Sequence, residues 1–170
     1  FEADGSTLSD HELRSFFGLL FPAGAETTTR SISGGLYALI GRRASWEQLR
    51  VQPGLIKTAA EEIVRWTTPS CYKRRTATRD VEFHGKRIRE GDKVTFWEMS
   101  ANRDERVFER PFEFDITRSP NPHLGFGAGV HFCLGSSLAR LELKLVFEEL
   151  RDCGLAFELA GEPQWTANNR

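Results

Sequence analysis

Apolar positions along the chain separate it into three helical stretches and one region of alternating residues. The first helix is predicted at about residues 10–40. Ser9 and Glu12 form the capping box Ser-x-x-Glu that marks a helix start. Leu13, Phe16, Phe17, Leu19, Leu20 and Phe21 follow, then Ile32, Leu36, Leu39 and Ile40. A helix apolar on most faces is usually central and buried. Its middle breaks helix rules: Pro22, Gly24 and Thr27-Thr28-Thr29 are poor interior residues, and a kink is expected near Gly18 to Ala25. A second helix, about 53–68, carries Ala59, Ala60, Ile63, Val64 and Trp66 and is ended by Pro69. A third, about 134–150, has leucines at 134, 138, 141 and 145. Between the second and third lies a β region at about 71–97. There Val81-Glu82-Phe83 and Val94-Thr95-Phe96 alternate, and His84-Gly85 and Glu90-Gly91-Asp92 read as turns. Irregular chain rich in turn residues covers about 102–135.

Composition narrows the class. The 170 residues are 39% hydrophobic, enough for one domain with a sizeable core. A formal net charge of −1 gives no reason to expect nucleic acid or an anionic membrane surface. No apolar run is long enough to span a bilayer, and three scattered cysteines make no disulfide framework. A reducing, cytoplasmic setting is the expectation.

Cys133 is the strongest chemical candidate. It lies between the glycine-rich turn Phe126-Gly127-Ala128-Gly129-Val130-His131-Phe132 and Leu134-Gly135 at the start of the third helix. A thiol just before a helix meets the positive end of the macrodipole and unpaired backbone N–H groups, both of which favour thiolate. Gly127, Gly129 and Gly135 permit sharp turns and close approach to a flat partner. Such a thiolate suits the axial position of a haem iron. A buried structural cysteine is the plainer alternative. Zinc fits poorly, since His131 and Cys133 offer two ligands and Cys71 and Cys153 are isolated.

The segment resembles the haem loop of the cytochrome P-450 family, F-x-x-G-x-[RH]-x-C-x-G, through Phe126, Gly129, His131, Cys133 and Gly135, with Leu138-Ala139-Arg140 continuing the pattern. Two further segments share the resemblance. Ala23-Gly24-Ala25-Glu26-Thr27 is similar to the oxygen-activation motif [AG]-G-x-[DE]-T. There the resemblance implies that Ala23 and Gly24 leave room for substrate and dioxygen. Thr27 would donate a hydrogen bond to dioxygen, and Glu26 would relay protons. Glu62-x-x-Arg65 is similar to the family's E-x-x-R, a structural ion pair three residues apart on one helix face. The usual third member is an arginine in the irregular segment; the aligned residue is Glu113, with Arg110 or Arg118 as substitutes. The resemblance also implies that Arg75 and His131 meet haem propionates and that Cys71 passes near the substrate.

The implied protein is a mainly α fold with a small β-sheet, the C-terminal haem-binding part of a soluble, bacterial-type cytochrome P-450 more than twice as long. Its activity would be a haem-thiolate monooxygenase, placing one oxygen atom from dioxygen into an apolar substrate: a steroid, terpenoid or branched lipid by analogy. Its cofactor would be haem b, and electrons would come from a ferredoxin-type donor with its reductase. The alternatives are a peroxide-using haem-thiolate peroxygenase and a fragment without activity of its own.

Overall fold

The computed structural model describes residues 2–3 and 6–164. Two short strands, β1 (Glu2–Ala3) and β2 (Ser6–Thr7), pair antiparallel and lead into helix α1 (Asp10–Ile40). Helix α2 (Arg43–Val51) and a 3₁₀ turn (Pro53–Leu55) connect it to α3 (Ile56–Thr67). Strands β3 (Tyr72–Thr76), β4 (Val81–Phe83), β5 (Lys86–Ile88) and β6 (Lys93–Trp97) follow, then the short α4 (Glu98–Ala101). A long irregular stretch with a 3₁₀ turn at Gly129–His131 leads to α5 (Ser136–Asp152). The fold is therefore mainly helical with small antiparallel sheets, β3 against β6 and β4 against β5.

Local chemistry explains several boundaries. Ser9 caps α1 by accepting the Glu12 N–H at 3.3 Å, while the Glu12 carboxylate accepts the Ser9 N–H at 2.8 Å. His84 and Gly85 both have positive φ, 49° and 72°, the left-handed pair that a two-residue hairpin turn requires between β4 and β5. Helix α3 ends where Thr68 turns left-handed, one residue before Pro69. Arg103 closes that end by donating to the carbonyls of Arg65 at 3.1 Å and Trp66 at 2.8 Å. Its guanidinium lies 4.6 Å from the Trp66 ring centroid, with Arg42 4.9 Å from the same ring. Burial and the neighbouring Arg65 charge push Arg103 down to about 10.

Three helices form the core. Ala38 and Leu39 of α1, Ala59, Ala60, Ile63 and Val64 of α3, and Leu143 and Phe147 of α5 bury against one another, with Leu49, Ile56, Phe114 and Ile116 around them. Gly35 allows a close approach of the three helices: a Cβ there would lie 2.8 Å from Ile63 Cγ2 and 3.0 Å from Phe147 Cζ.

Helix α1 runs helical through Pro22. The structure corrects one expectation of burial. Only the C-terminal part of α1 is buried; Phe17, Leu19 and Phe21 stand exposed, Phe21 at 80%. The leucines at 134, 138, 141 and 145 are also exposed, and the core face of α5 is instead Ser136, Leu143 and Phe147. Helix α2 had no place in the sequence reading, because its one fully buried residue, Leu49, sits among charges.

Candidate functional site

The glycine-rich loop closes on itself. Cys133 N–H donates to the carbonyl of Phe126 at 2.9 Å, and Gly127 N–H donates to Leu124 at 2.8 Å. Gly127 and Gly129 adopt φ of 71° and 64°, conformations that side chains resist. Phe132 N–H reaches Gly129 at 3.0 Å, forming the 3₁₀ turn that carries Val130 and His131. Cys133 emerges exposed, three residues before α5 begins, with Ser136 N–H donating to its carbonyl at 3.2 Å.

Around it lies an apolar ledge. Val130 is 98% exposed, Leu134 80% and Phe132 50%. An exposed thiol amid uncovered apolar side chains suits a broad, flat, apolar group that needs a single sulfur ligand. A metal ion held by protein alone is a poor fit, since no three His, Cys, Asp or Glu side chains cluster among the described residues. His131 and Arg75 are both exposed cation-forming side chains. Arg75 lies on β3 opposite Val94 of β6, donates to the Arg74 carbonyl at 3.0 Å and lies 5.8 Å from the Phe96 ring centroid.

Behind the loop sits a dense ionic knot. Glu62 and Arg65 are fully buried and join through two parallel bonds of 2.7 Å, from Nε to Oε2 and from Nη2 to Oε1. Arg65 sends its other donors to the carbonyls of Asn102 and Pro111, each at 2.8 Å, and Glu113 at 2.9 Å, so all five are satisfied. Glu62 also accepts Asp115 N–H at 2.8 Å, Arg118 Nε at 3.1 Å and Asn121 Nδ2 at 3.1 Å. Arg118 is thus the third member of the pair's network. Glu113 contributes only its backbone there; its carboxylate meets Arg110 at 2.8 Å on the surface.

Glu26 and Thr27 have their hydrogen bonds within α1. Glu26 pairs with Arg30 at 2.7 Å, and the Thr27 hydroxyl donates to the Ala23 carbonyl at 2.7 Å. This is the local back-bonding to the i−4 carbonyl that threonine commonly makes within a helix. Ala23 and Gly24 are exposed, and no atom outside the helix backbone lies within 4 Å of where a Gly24 Cβ would be. Cys71 is half-buried, and its carbonyl accepts Met99 N–H at 3.2 Å. Nearby, Glu98 is buried beside Lys73 at 3.2 Å; burial pushes its carboxyl above the usual range despite that charge.

Sequence reasoning missed a second set of groups. Asn102 is fully buried, donates to Thr68 Oγ1 at 3.0 Å and accepts Leu124 N–H at 2.7 Å. Glu61, beside Glu62 on α3, binds Arg140 of α5 and His123 of the irregular segment. Only the adjacency of two glutamates on a helix hinted at it, and that pattern is common on solvated faces.

Comparison with known proteins adds a consistent result. The sequence profile described as Cytochrome P450 matches residues 1–150. The cytochrome P450 126 sequence of Mycobacterium tuberculosis is 56% identical over 169 residues, covering 99% of this chain and 41% of the relative. A methyl-branched lipid omega-hydroxylase of the same species is 51% identical over 155 residues, covering 88% of this chain and 36% of the relative. Among solved structures, CYP109E1 of Bacillus megaterium with testosterone superposes with a TM-score of 0.92 at 38% identity, covering 98% of this chain and 47% of that one. The chain thus spans about two-fifths of the length of the curated relatives it matches.

Proposed function

The chain belongs to the cytochrome P450 family, and from that premise we propose that it is the haem-binding part of a monooxygenase acting on an apolar organic substrate. Cys133 is the ligand to the iron of haem b, and the observation that carries this is its thiol, exposed on the ledge of Val130, Phe132 and Leu134 at the mouth of a closed glycine loop. When bound, the haem supplies the redox chemistry that puts one atom of dioxygen into a C–H bond and releases the other as water.

The remaining residues bind, orient and move protons. Gly127 and Gly129 keep the loop free of side chains where the macrocycle approaches. Arg75 and His131 reach the propionates, where the planar guanidinium matches a carboxylate. Glu62 and Arg65 hold the irregular segment behind the loop through the carbonyls of Asn102, Pro111 and Glu113. On α1, Ala23 and Gly24 leave space for substrate, with Cys71 at its margin. Thr27 donates a hydrogen bond to dioxygen once its hydroxyl turns from the Ala23 carbonyl, and Glu26 relays protons when it leaves Arg30. Relatives named for a methyl-branched lipid and for a steroid support substrates of those classes. Electrons come from a ferredoxin-type partner with its reductase in the cytoplasm; among the described residues no helix is long and apolar enough to cross a membrane.

A peroxide-driven peroxygenase is the second reading. It is favoured by the engagement of Thr27 with Ala23 and of Glu26 with Arg30, which leaves neither relay group free.

The reduced, carbon-monoxide-treated absorbance spectrum of the full-length protein tests the central claim. The thiolate band is expected in the parent and in Cys71→Ala, and absent in Cys133→Ala. Retention of the band in Cys133→Ala overturns the assignment.

A further inference from the structure

Strands β3 and β6 form a two-stranded ribbon whose faces carry different chemistry. Lys73 pairs with Phe96 and Arg75 with Val94 in its register, and side chains alternate between faces along each strand. Met99 N–H, donating to the Cys71 carbonyl at 3.2 Å, carries the pairing one step further. Cys71, Lys73 and Arg75 therefore share one face with Val94, Phe96 and Glu98. Tyr72 and Trp97, with ring centroids 4.8 Å apart, mark the other face, where Lys93 Nζ donates to Thr76 Oγ1 at 2.7 Å.

The first face is built around a lysine. Lys73 Nζ donates to Glu98 Oε2 at 3.2 Å and to Ser70 Oγ. The Glu98 side chain is 2% exposed and that of Lys73 39%, so the acid is sunk while the ammonium can be reached from outside. An ammonium carries three protons; two are used, and the third has no partner among the described residues. Arg75 stands two residues along the strand, exposed, with its guanidinium 5.8 Å from the Phe96 ring centroid. Two cations thus share this face with one acid, and the face is net positive. Burial pushes the Glu98 carboxyl above its usual range against the charges of Lys73 and Arg75, so the acid is the easiest of the three to neutralise.

We propose that Lys73 is a carboxylate-anchoring residue, its ammonium aimed by Glu98 and Ser70 so that the free N–H takes a carboxylate at the border between substrate and macrocycle. The place of that border rests on the reading of Cys71 as the substrate margin and Arg75 as a propionate partner, which lie two residues to either side of Lys73. Two carboxylates fit: the acid end of an amphiphilic substrate such as a fatty acid, and a haem propionate. Each asks the same of the protein, a fixed point charge with one donor to spare. Glu98 and Ser70 hold the lysine head before the ligand arrives, so less ordering remains to be done on binding.

The test uses the full-length haem protein. Equilibrium dialysis measures the affinity for dodecanoate and for 1-dodecanol, and haem transfer to apomyoglobin measures the rate of haem loss. With the substrate's acid end as the ligand, Lys73→Met is expected to weaken dodecanoate about tenfold and to leave 1-dodecanol unchanged. With a propionate as the ligand, Lys73→Met is expected to lose haem about tenfold faster, with dodecanoate unchanged. Lys73→Arg keeps the charge and is expected to lose less in either case. Lys93→Met, which removes the same charge from the opposite face, is expected to match the parent in both measurements. Parent values for both in Lys73→Met, or an equal effect in Lys93→Met, overturn the anchor. Should Lys73→Met fail to fold with Glu98 left unpaired, the double variant Lys73→Met, Glu98→Gln removes both charges and carries the same expectation, with parent values again overturning it. Absence of the thiolate band from the parent itself would sink the proposed function, while dialysis needs no such band and still judges the anchor.

Discussion

Asn102 holds Leu124: its side-chain oxygen accepts the Leu124 N–H at 2.7 Å, 22 residues along the chain. The same side chain donates to Thr68 at the end of α3, and the backbone carbonyl of Asn102 accepts a hydrogen bond from Arg65. One fully buried asparagine thus ties the ionic knot to the entrance of the cysteine loop. Asn102→Ala strands the Leu124 N–H and loosens Thr68. A loss of about 2–4 kcal/mol is expected by denaturant unfolding of the full-length protein, from a buried group left unsatisfied plus a lost bond. Asn102→Asp keeps the acceptor and is expected to lose less.

Arg65→Lys keeps the charge but cannot supply five donors in a plane. The Glu62 carboxylate loses its two-pronged partner, and carbonyls among Asn102, Pro111 and Glu113 go unpaired. Destabilisation of roughly 3–5 kcal/mol is expected. Arg118→Lys is expected to cost less, since Arg118 gives Glu62 one bond at 3.1 Å where Arg65 gives two at 2.7 Å. Equal losses in the two variants would show that the knot is held by charge alone.

Glu61 gives acid sensitivity a definite sign. Its carboxyl sits at about 2 in the folded protein against an ordinary 4.5. A depressed folded value means that the Glu61 pairing stabilises fully above about 4.5 and is lost as pH falls towards about 2. Unfolding free energies of the parent and Glu61→Gln, measured from neutral pH downward, are expected to differ by a constant amount above that window. Within it, the gap should shrink as the parent's carboxylate protonates. A gap that stays constant across the window would remove the proton-linked role of His123 and Arg140 at this site.

Thr27→Ala removes the hydroxyl that donates to the Ala23 carbonyl. In the full-length enzyme with a partner system and a known substrate, haem binding and electron uptake are expected to persist. Product formed per reduced nicotinamide should fall and peroxide released should rise. Thr28→Ala is expected to change these little, because the next residue lies about 100° around the helix. Loss in Thr28→Ala alone would place the motif one residue out of register. Unchanged coupling in both favours the peroxide-driven reading.

What could be read from the sequence shares one property: its geometry is settled within a few residues. The Ser9–Glu12 capping box, the His84-Gly85 turn, the Glu62–Arg65 spacing and the glycines before Cys133 all act over spans where backbone dihedrals leave little choice. Tertiary packing decided the rest. Arg118 reaches Glu62 across 56 positions and Arg140 reaches Glu61 across 79, distances over which spacing carries no information. Packing also chose which stripe of α5 is core. Leu138 and Leu141 repeat as regularly as Leu143 and Phe147, but only the latter are buried, with Phe147 against Gly35, where the missing side chain of glycine lets three helices come together. Periodicity tells which residues share a face; burial is settled by what lies opposite, and that is a property of the assembled fold.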